Sequence, residues 1–463
     1  MGLRWKLVSL IGVLLFPFVG HSAGKIDDSK AQRVQETKLP NGLKIIEYRL
    51  PNGLQLLLVP DSYAPVVDFQ LWFRAGSAAE RLDPNLKKTG LAHLFEHMMF
   101  RGTAKYPDQI FDKKLTEAGA VGMNATTWLD RTNYFQSVPK EKMELVFELE
   151  SDRMVNLKIN EKLFQTEIGA VVGEKKMRDD KPGSLAYESL WNLAFEQSPY
   201  RWSVIGTLED IRGFTVENAN YFYKTYYAPN NATLILLGDF EESQAVALTE
   251  KYFGKMKSQK IPEFATFQEP EQKKAKLFAV EHPLANSDIV MMGFQIPPIT
   301  HPDMASLDVA AAILAYGNSS WLEQELQQTG KVTGVSASVS KAKYPGLFIV
   351  SLQVAKGQST QEVVEITKNA IKKIRNGSIS DAEIERAKNQ YLLYSYQELA
   401  SLTQVGKNLG ESVASAGNYL RDFEILEAVK KVSKSDLKRV ANVYFQDHQL
   451  TQITVTPAQK EKK

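Results

Sequence analysis

Gly90-Leu91-Ala92-His93-Leu94-Phe95-Glu96-His97-Met98-Met99-Phe100 holds two of the six histidines of a 463-residue chain. Its apolar residues recur with helical spacing. On a helix, His93 and His97 stand four residues apart, so their rings lie one turn apart on one face and can share one ion. Zinc takes imidazole nitrogens at about 2.0–2.1 Å, a distance this spacing serves. Glu96 follows His93 by three residues and projects beside the same face, placed to activate a water rather than to fill the coordination shell. A lone His or Glu on a helix is ordinarily part of a solvated face. Here three such residues in H-x-x-E-H order sit among strongly apolar neighbours, and that order is the inverted zinc motif.

A catalytic zinc needs a third protein ligand and one open position. The segment Gln165-Thr166-Glu167-Ile168-Gly169-Ala170-Val171-Val172-Gly173-Glu174 offers two carboxylates seven residues apart. That is almost two helical turns, so Glu167 and Glu174 share a face. One can bind metal while the other orients a ligand. Without His93 and His97 the pair would read as solvent-facing glutamates on an amphipathic helix.

The remainder of the chain sets the frame for this constellation. Its length suits two domains of about 200 residues each. The 43% hydrophobic and 24% charged content is that of an ordinary globular protein. At the N-terminus, Arg4 and Lys6 precede an apolar run over residues 7–19 and then the small residues Gly20, Ser22 and Ala23. This pattern reads as a signal peptide over residues 1–23, too short to span a bilayer comfortably, and places the mature chain in a periplasm. Removing Arg4 and Lys6 takes the net charge from +2 to zero, which gives no general attraction for nucleic acid or anionic lipid. With no cysteine, neither a disulfide framework nor a lipid attachment site is available.

Turn signals at Asn41-Gly42 and Asn52-Gly53, the apolar segment 54–59 and the alternation over 67–73 predict strands and hairpins at the start of the first half. Residues 91–100 and 142–156 carry helical spacing, so the class is α+β. A Pro-, Lys- and Gln-rich stretch with little apolar periodicity, residues 258–276, divides a first domain, 24–257, from a second, 277–463. Both halves close alike, with aromatic residues at 221–227 and 443–445 and then strands at 233–237 and 450–455, as an internal duplication would produce.

With the motif, the two glutamates separated by six residues and the two-half organisation in view, the mature chain resembles the pitrilysin/insulinase family. That family includes the β-subunit of the mitochondrial processing peptidase and its bacterial relatives. The resemblance implies two homologous α+β domains forming half of a clam-shell chamber, and one Zn2+ per chain. It assigns His93, His97 and Glu174 as metal ligands, Glu96 as catalytic base and Glu167 as a carboxylate supporting the ligands. The implied activity is that of a zinc metalloendopeptidase on unfolded peptides.

Residues 118–127, rich in glycine, followed by Thr132-Asn133-Tyr134-Phe135, read as an entry to a strand where another backbone can come close. The resemblance makes this an edge strand on which substrate adds, with Asn124 and Ala125 as the contact positions. Read without a ligand, the same residues describe a hairpin with a glycine-rich turn. In family members that work alone, the half without zinc carries an arginine and, seven residues later, a tyrosine. These positions fall here on Gln327 and Gly334, and no arginine occurs between Arg212 and Arg375. A homologous partner subunit supplying the Arg/Tyr pair is therefore expected. The alternative is a non-catalytic, zinc-stabilised peptide-binding or assembly subunit, against which the intact Glu96 argues.

Overall fold

The computed structural model describes residues 30–39 and 42–458. The expected export signal lies outside them, as does Asn41 of the first turn. The first half builds a seven-stranded sheet from β1 (Gln32–Lys38), β2 (Lys44–Arg49), β3 (Gln55–Pro60), β4 (Val66–Phe73), β5 (Val121–Thr127), β6 (Thr132–Pro139) and β7 (Ala232–Gly238). Its order is β1-β2-β3-β7-β4-β6-β5, so β5 is an edge. The second half builds a five-stranded sheet from β8 (Lys276–His282), β9 (Ile289–Ile296), β10 (Val332–Val339), β11 (Gly346–Val354) and β12 (Thr451–Pro457), in the order β10-β11-β9-β12-β8.

The two orders are the same once β1 and β2 are set aside. β3-β7-β4-β6-β5 maps onto β8-β12-β9-β11-β10, with one parallel pair in each, β3 with β7 and β8 with β12, and antiparallel pairing elsewhere. The helices repeat too: Met143–Asn156, Glu161–Asp179 and Pro182–Ala194 follow β6, as Thr360–Asn376, Asp381–Glu398 and Leu402–Ala416 follow β11. The fold is α+β in two domains of one topology, as the similar endings of the two halves predict.

The third helix of each trio crosses to the other domain. Pro182–Ala194 packs on β9 and β12, and Leu402–Ala416 packs on β4 and β7. One core therefore joins Leu57, Trp72 and Ile235 of the first domain to the second, and another joins Leu190 and Trp191 to Met291, Ile349 and Ile453. Close approach is set by glycines: a Cβ on Gly410 would overlap the Trp72 ring, and one on Gly293 would press within 3.1 Å of Leu190. Of residues 258–276, expected to separate the halves, 258–275 carry no helix or strand, while Lys276 already opens β8. They are nonetheless pinned: the Ala265 amide donates to the Leu82 carbonyl at 3.0 Å, and Phe267 meets Tyr344 edge to face at 5.3 Å. Among the described residues no helix is long and apolar enough to cross a membrane.

Candidate metal centre

The motif forms the helix Leu91–Met98, whose Leu91, Leu94, Phe95 and Met98 are buried as the helical spacing requires. Its start is fixed by Gly90, at φ +97°, where a Cβ would strike the Ile205 carbonyl. The orphan amides there are satisfied by Glu80, whose two carboxylate oxygens accept from Gly90 N and Ala92 N, both at 2.6 Å. Glu80 is fully buried, and that burial pushes its carboxyl up to about 8 against the pull of the two amides.

Helix Glu161–Asp179, opened by Asn160 accepting from the Leu163 amide at 3.0 Å, lies against the motif helix and brings Glu167 and Glu174 to it. His93, His97 and Glu174 each offer one ligand atom, and these atoms lie within 4.8 Å of one another. Nε2 of His93 and Nε2 of His97 stand 3.6 and 3.5 Å from the same oxygen, Glu174 Oε2. Both distances exceed those of a good N–H···O hydrogen bond. They match co-ligands of one ion, since donors about 2.0–2.1 Å from a tetrahedral centre stand about 3.4 Å apart. Two imidazoles and a carboxylate are also the donor chemistry zinc accepts, so the residues present fit the group.

The supporting contacts separate the two glutamates. Glu174 turns Oε1 to Arg178, 2.7 Å from its Nη2, and leaves Oε2 to the histidines. Glu167, only 2% exposed, places Oε2 3.4 Å from the other nitrogen of His97, Nδ1, while Oε1 accepts from Arg101 Nε at 2.5 Å. Among the described residues, Nδ1 of His93 is buried without a hydrogen-bond partner. Burial lowers His93 to about 4, so it stands neutral, whereas His97 is raised to about 9 because Glu167 and Glu174 outweigh the cost of burying its charge. The His97 ring facing it, with Arg178 beside it, draws Glu174 down to about 2. A proton on His97 thus sits where a metal cation would.

Glu96 points beside this cluster without joining it. Its Oε2 accepts from Thr127 Oγ1 at 2.6 Å, and burial raises its carboxyl against that hydrogen bond. Thr127 ends β5, whose Asn124 is exposed and whose Ala125 is buried, with a bulge between Val121 and Asn124. The structure therefore brings together His93, His97, Glu174, Glu167 and Glu96, and sets Asn124 and Ala125 on the adjoining edge strand. Gln327 and Gly334 lie in the other domain, at the end of the turn Glu323–Gln327 and within β10, the topological counterpart of β5.

Sequence reasoning passed over Glu80, Arg101, Thr127 and Arg178. Arg178 could have been found, because it follows Glu174 by one helical turn and forms an i, i+4 pair. Glu80 gives no local signal, since its target amides lie 10 and 12 residues away.

Comparison with known proteins identifies the family and the fold. The profile described as Insulinase (Peptidase family M16) matches residues 56–208, and Peptidase M16 inactive domain matches residues 213–391. The chain belongs to the M16 peptidase family. It is 28% identical to the zinc protease PqqE of Helicobacter pylori over 465 residues, 98% of each chain. To a probable mitochondrial-processing peptidase subunit beta of Arabidopsis thaliana it is 23% identical, covering 93% of this chain and 79% of that one. A protease from Helicobacter pylori has the same fold, with TM-score 0.83 and 26% identity over 92% of this chain and all of that one. The first half of the periplasmic protease PqqL from Escherichia coli superposes at TM-score 0.73, with 19% identity, over 91% of this chain and 93% of that one, and shares the fold.

Proposed function

We propose that this M16 protein is a zinc metalloendopeptidase of unfolded peptides, with His93, His97 and Glu174 holding the metal, Glu96 as general base and Glu167 orienting His97. The observation that carries this reading is the half-buried Glu96 carboxylate standing beside three converging donors while bonded to none of them. A purely structural zinc site needs no such neighbour.

Zinc bound there would polarise the scissile carbonyl and acidify the attacking water. The protein's own residues do the rest. Burial favours the protonated form of Glu96, so the carboxylate is a ready acceptor for the proton the water gives up and a ready donor to the leaving amine. Glu167 holds the His97 ring by Nδ1 and is itself held by Arg101, while Arg178 fixes the direction of Glu174. The exposed edge β5, at Asn124 and Ala125, is the place for an extended peptide to add as a further strand, which favours unfolded segments over folded proteins.

The reading includes a homologous partner. With Gln327 and Gly334 where a self-sufficient relative has arginine and tyrosine, these two positions offer neither the charge nor the phenolic donor, and a missing oxyanion donor costs about 10²–10³ in rate. A second subunit closing the chamber would supply both. The periplasm is the proposed compartment, and residues 24–257 and 277–463 the proposed extents of the two domains. The deciding experiment compares zinc-loaded wild type with Glu96→Gln on an unfolded peptide, alone and with a co-expressed homologue. The variant should keep its zinc and lose hydrolysis, and substantial turnover by metal-replete Glu96→Gln would remove Glu96 from this role.

A further inference from the structure

Behind Glu96 lies a short series of hydroxyls. Thr127 is, among the described residues, the hydrogen-bond partner of the Glu96 carboxylate, donating to Oε2 at 2.6 Å. Its cross-strand neighbour is Thr132, in register with it, with the two Oγ1 atoms 3.3 Å apart. Thr132 is fully buried and donates its own proton to the Ala75 carbonyl at 2.9 Å. A hydroxyl carries one proton. That of Thr132 is committed to Ala75, and that of Thr127 goes to the Glu96 carboxylate at 2.6 Å rather than to the Thr132 oxygen at 3.3 Å, because the nearer, charged acceptor makes the stronger hydrogen bond.

The hydroxyl is also held in place from outside the site. The turn after Thr127 closes with Trp128 N donating to Arg131 O at 2.9 Å, and its carbonyls at Trp128 and Leu129 accept from Ser77 N and Ala78 N at 3.0 and 2.8 Å. Asp130 accepts from Tyr200 Oη at 2.7 Å and from Lys343 N of the second domain at 2.9 Å, and Arg131 Nε donates to Glu411 of the second domain at 2.8 Å. Thr127 thus stands at the braced, turn end of the edge strand β5.

We propose that Thr127 is the positioning residue of the general base: its hydroxyl occupies Oε2 of Glu96, leaves Oε1 as the proton acceptor, and ties the base to the strand on which the peptide lies. This rests on the peptidase reading above. In the step itself, water gives one proton to Oε1 as its oxygen bonds to the scissile carbonyl carbon. That proton then passes to the amide nitrogen as the C–N bond breaks, giving one carboxyl and one amine terminus. An unanchored Glu96 would share its time among rotamers that face away from the water.

The test uses Thr127→Val, which keeps the shape and removes the hydroxyl, and Thr127→Ser, which keeps the hydroxyl. On an unfolded peptide, with the homologue co-expressed if wild type needs it, Thr127→Val should lose about 10²-fold in kcat with KM and zinc content near wild type. Thr127→Ser should restore most of that loss. The inference is overturned if Thr127→Val turns over within about twofold of wild type, or if Thr127→Ser falls as far as Thr127→Val. A second measurement is independent of turnover: in metal-free protein, Thr127→Val should lower the urea midpoint of wild type but not that of Glu96→Ala. Equal shifts in both backgrounds would show that the bond is not made. A wild type that cleaves no peptide under any of these conditions sinks the peptidase reading, and the role of Thr127 with it, a result distinct from an active wild type indifferent to Thr127→Val.

Discussion

Gly410 and Gly169 both lie inside helices, and replacing each with alanine should move stability in opposite directions. In an exposed helix interior the change gains about 1 kcal/mol, because alanine orders at less entropic cost. Gly169, on Glu161–Asp179, has nothing within 4 Å of the position a Cβ would take, so Gly169→Ala should gain about that amount. Gly410, on Leu402–Ala416, lies where a Cβ would overlap Cε2, Cδ2 and Cζ2 of Trp72, far inside the about 3.5–4.0 Å of ordinary carbon contact. The indole cannot swing aside: it is 2% exposed, donates from Nε1 to Gln70 at 3.1 Å, and Gln70 in turn donates to the Thr403 carbonyl at 2.9 Å. Overpacking costs about 1–3 kcal/mol, and so deep an overlap belongs at or above the top of that range. Set against the helical gain, Gly410→Ala should lose about 2 kcal/mol, leaving the two variants about 3 kcal/mol apart. Urea midpoints read the difference directly. A Gly410→Ala protein that unfolds at or beyond the wild-type midpoint would refute the packing of this helix on the first domain's sheet.

Glu167→Gln should weaken zinc affinity or kcat by about 10–100-fold, and Arg101→Leu should act in the same direction with a smaller effect, both read by competition with a chelator; wild-type values for Glu167→Gln would reduce that residue to a buried ion-pair partner of Arg101. Zinc uptake at pH 7 should release about one proton, from His97, because its metal-free pKa is raised to about 9 while that of His93 is lowered to about 4. Affinity should accordingly rise as pH increases toward 9, and calorimetry in two buffers of different ionisation enthalpy would expose an uptake without proton release. Asp130, buried, has its carboxyl raised by that burial from 3.8 to about 6, so the folded state holds its proton more tightly and wild-type stability falls as pH rises between those values. Asp130→Asn should therefore gain on wild type by about 2–3 kcal/mol between pH 4 and pH 7, and a gap that does not change with pH would contradict it.

The motif helix, the long helix carrying both glutamates and the strand segments at 54–59, 67–73 and 233–237 were legible because each announces itself within a few residues. Periodicity selects helix or strand, and the four-residue spacing of His93 and His97 makes a shared ion a local property of one helix. The similar endings of the halves also disclosed the duplication. What spacing alone left open, and the family resemblance assigned, was which glutamate faces the metal: a seven-residue spacing gives Glu167 and Glu174 one face, and the packing of helix Glu161–Asp179 on the motif helix sets Glu174 against both Nε2 atoms and Glu167 against Nδ1 of His97.

Partners distant along the chain were beyond sequence reasoning altogether. Glu80 reaching the amides of Gly90 and Ala92, Thr127 reaching Glu96 across 31 positions, and Arg131 reaching Glu411 across 280 depend on strand order and on the crossing of one helix from each domain onto the other's sheet. The sequence by itself determined the chemistry, because ligand identity and helical spacing are written in adjacent residues. The tertiary structure alone decided the orientation of each ligand and of the base, because a side chain's direction is fixed by the groups packed against it, and those groups arrive from elsewhere in the chain.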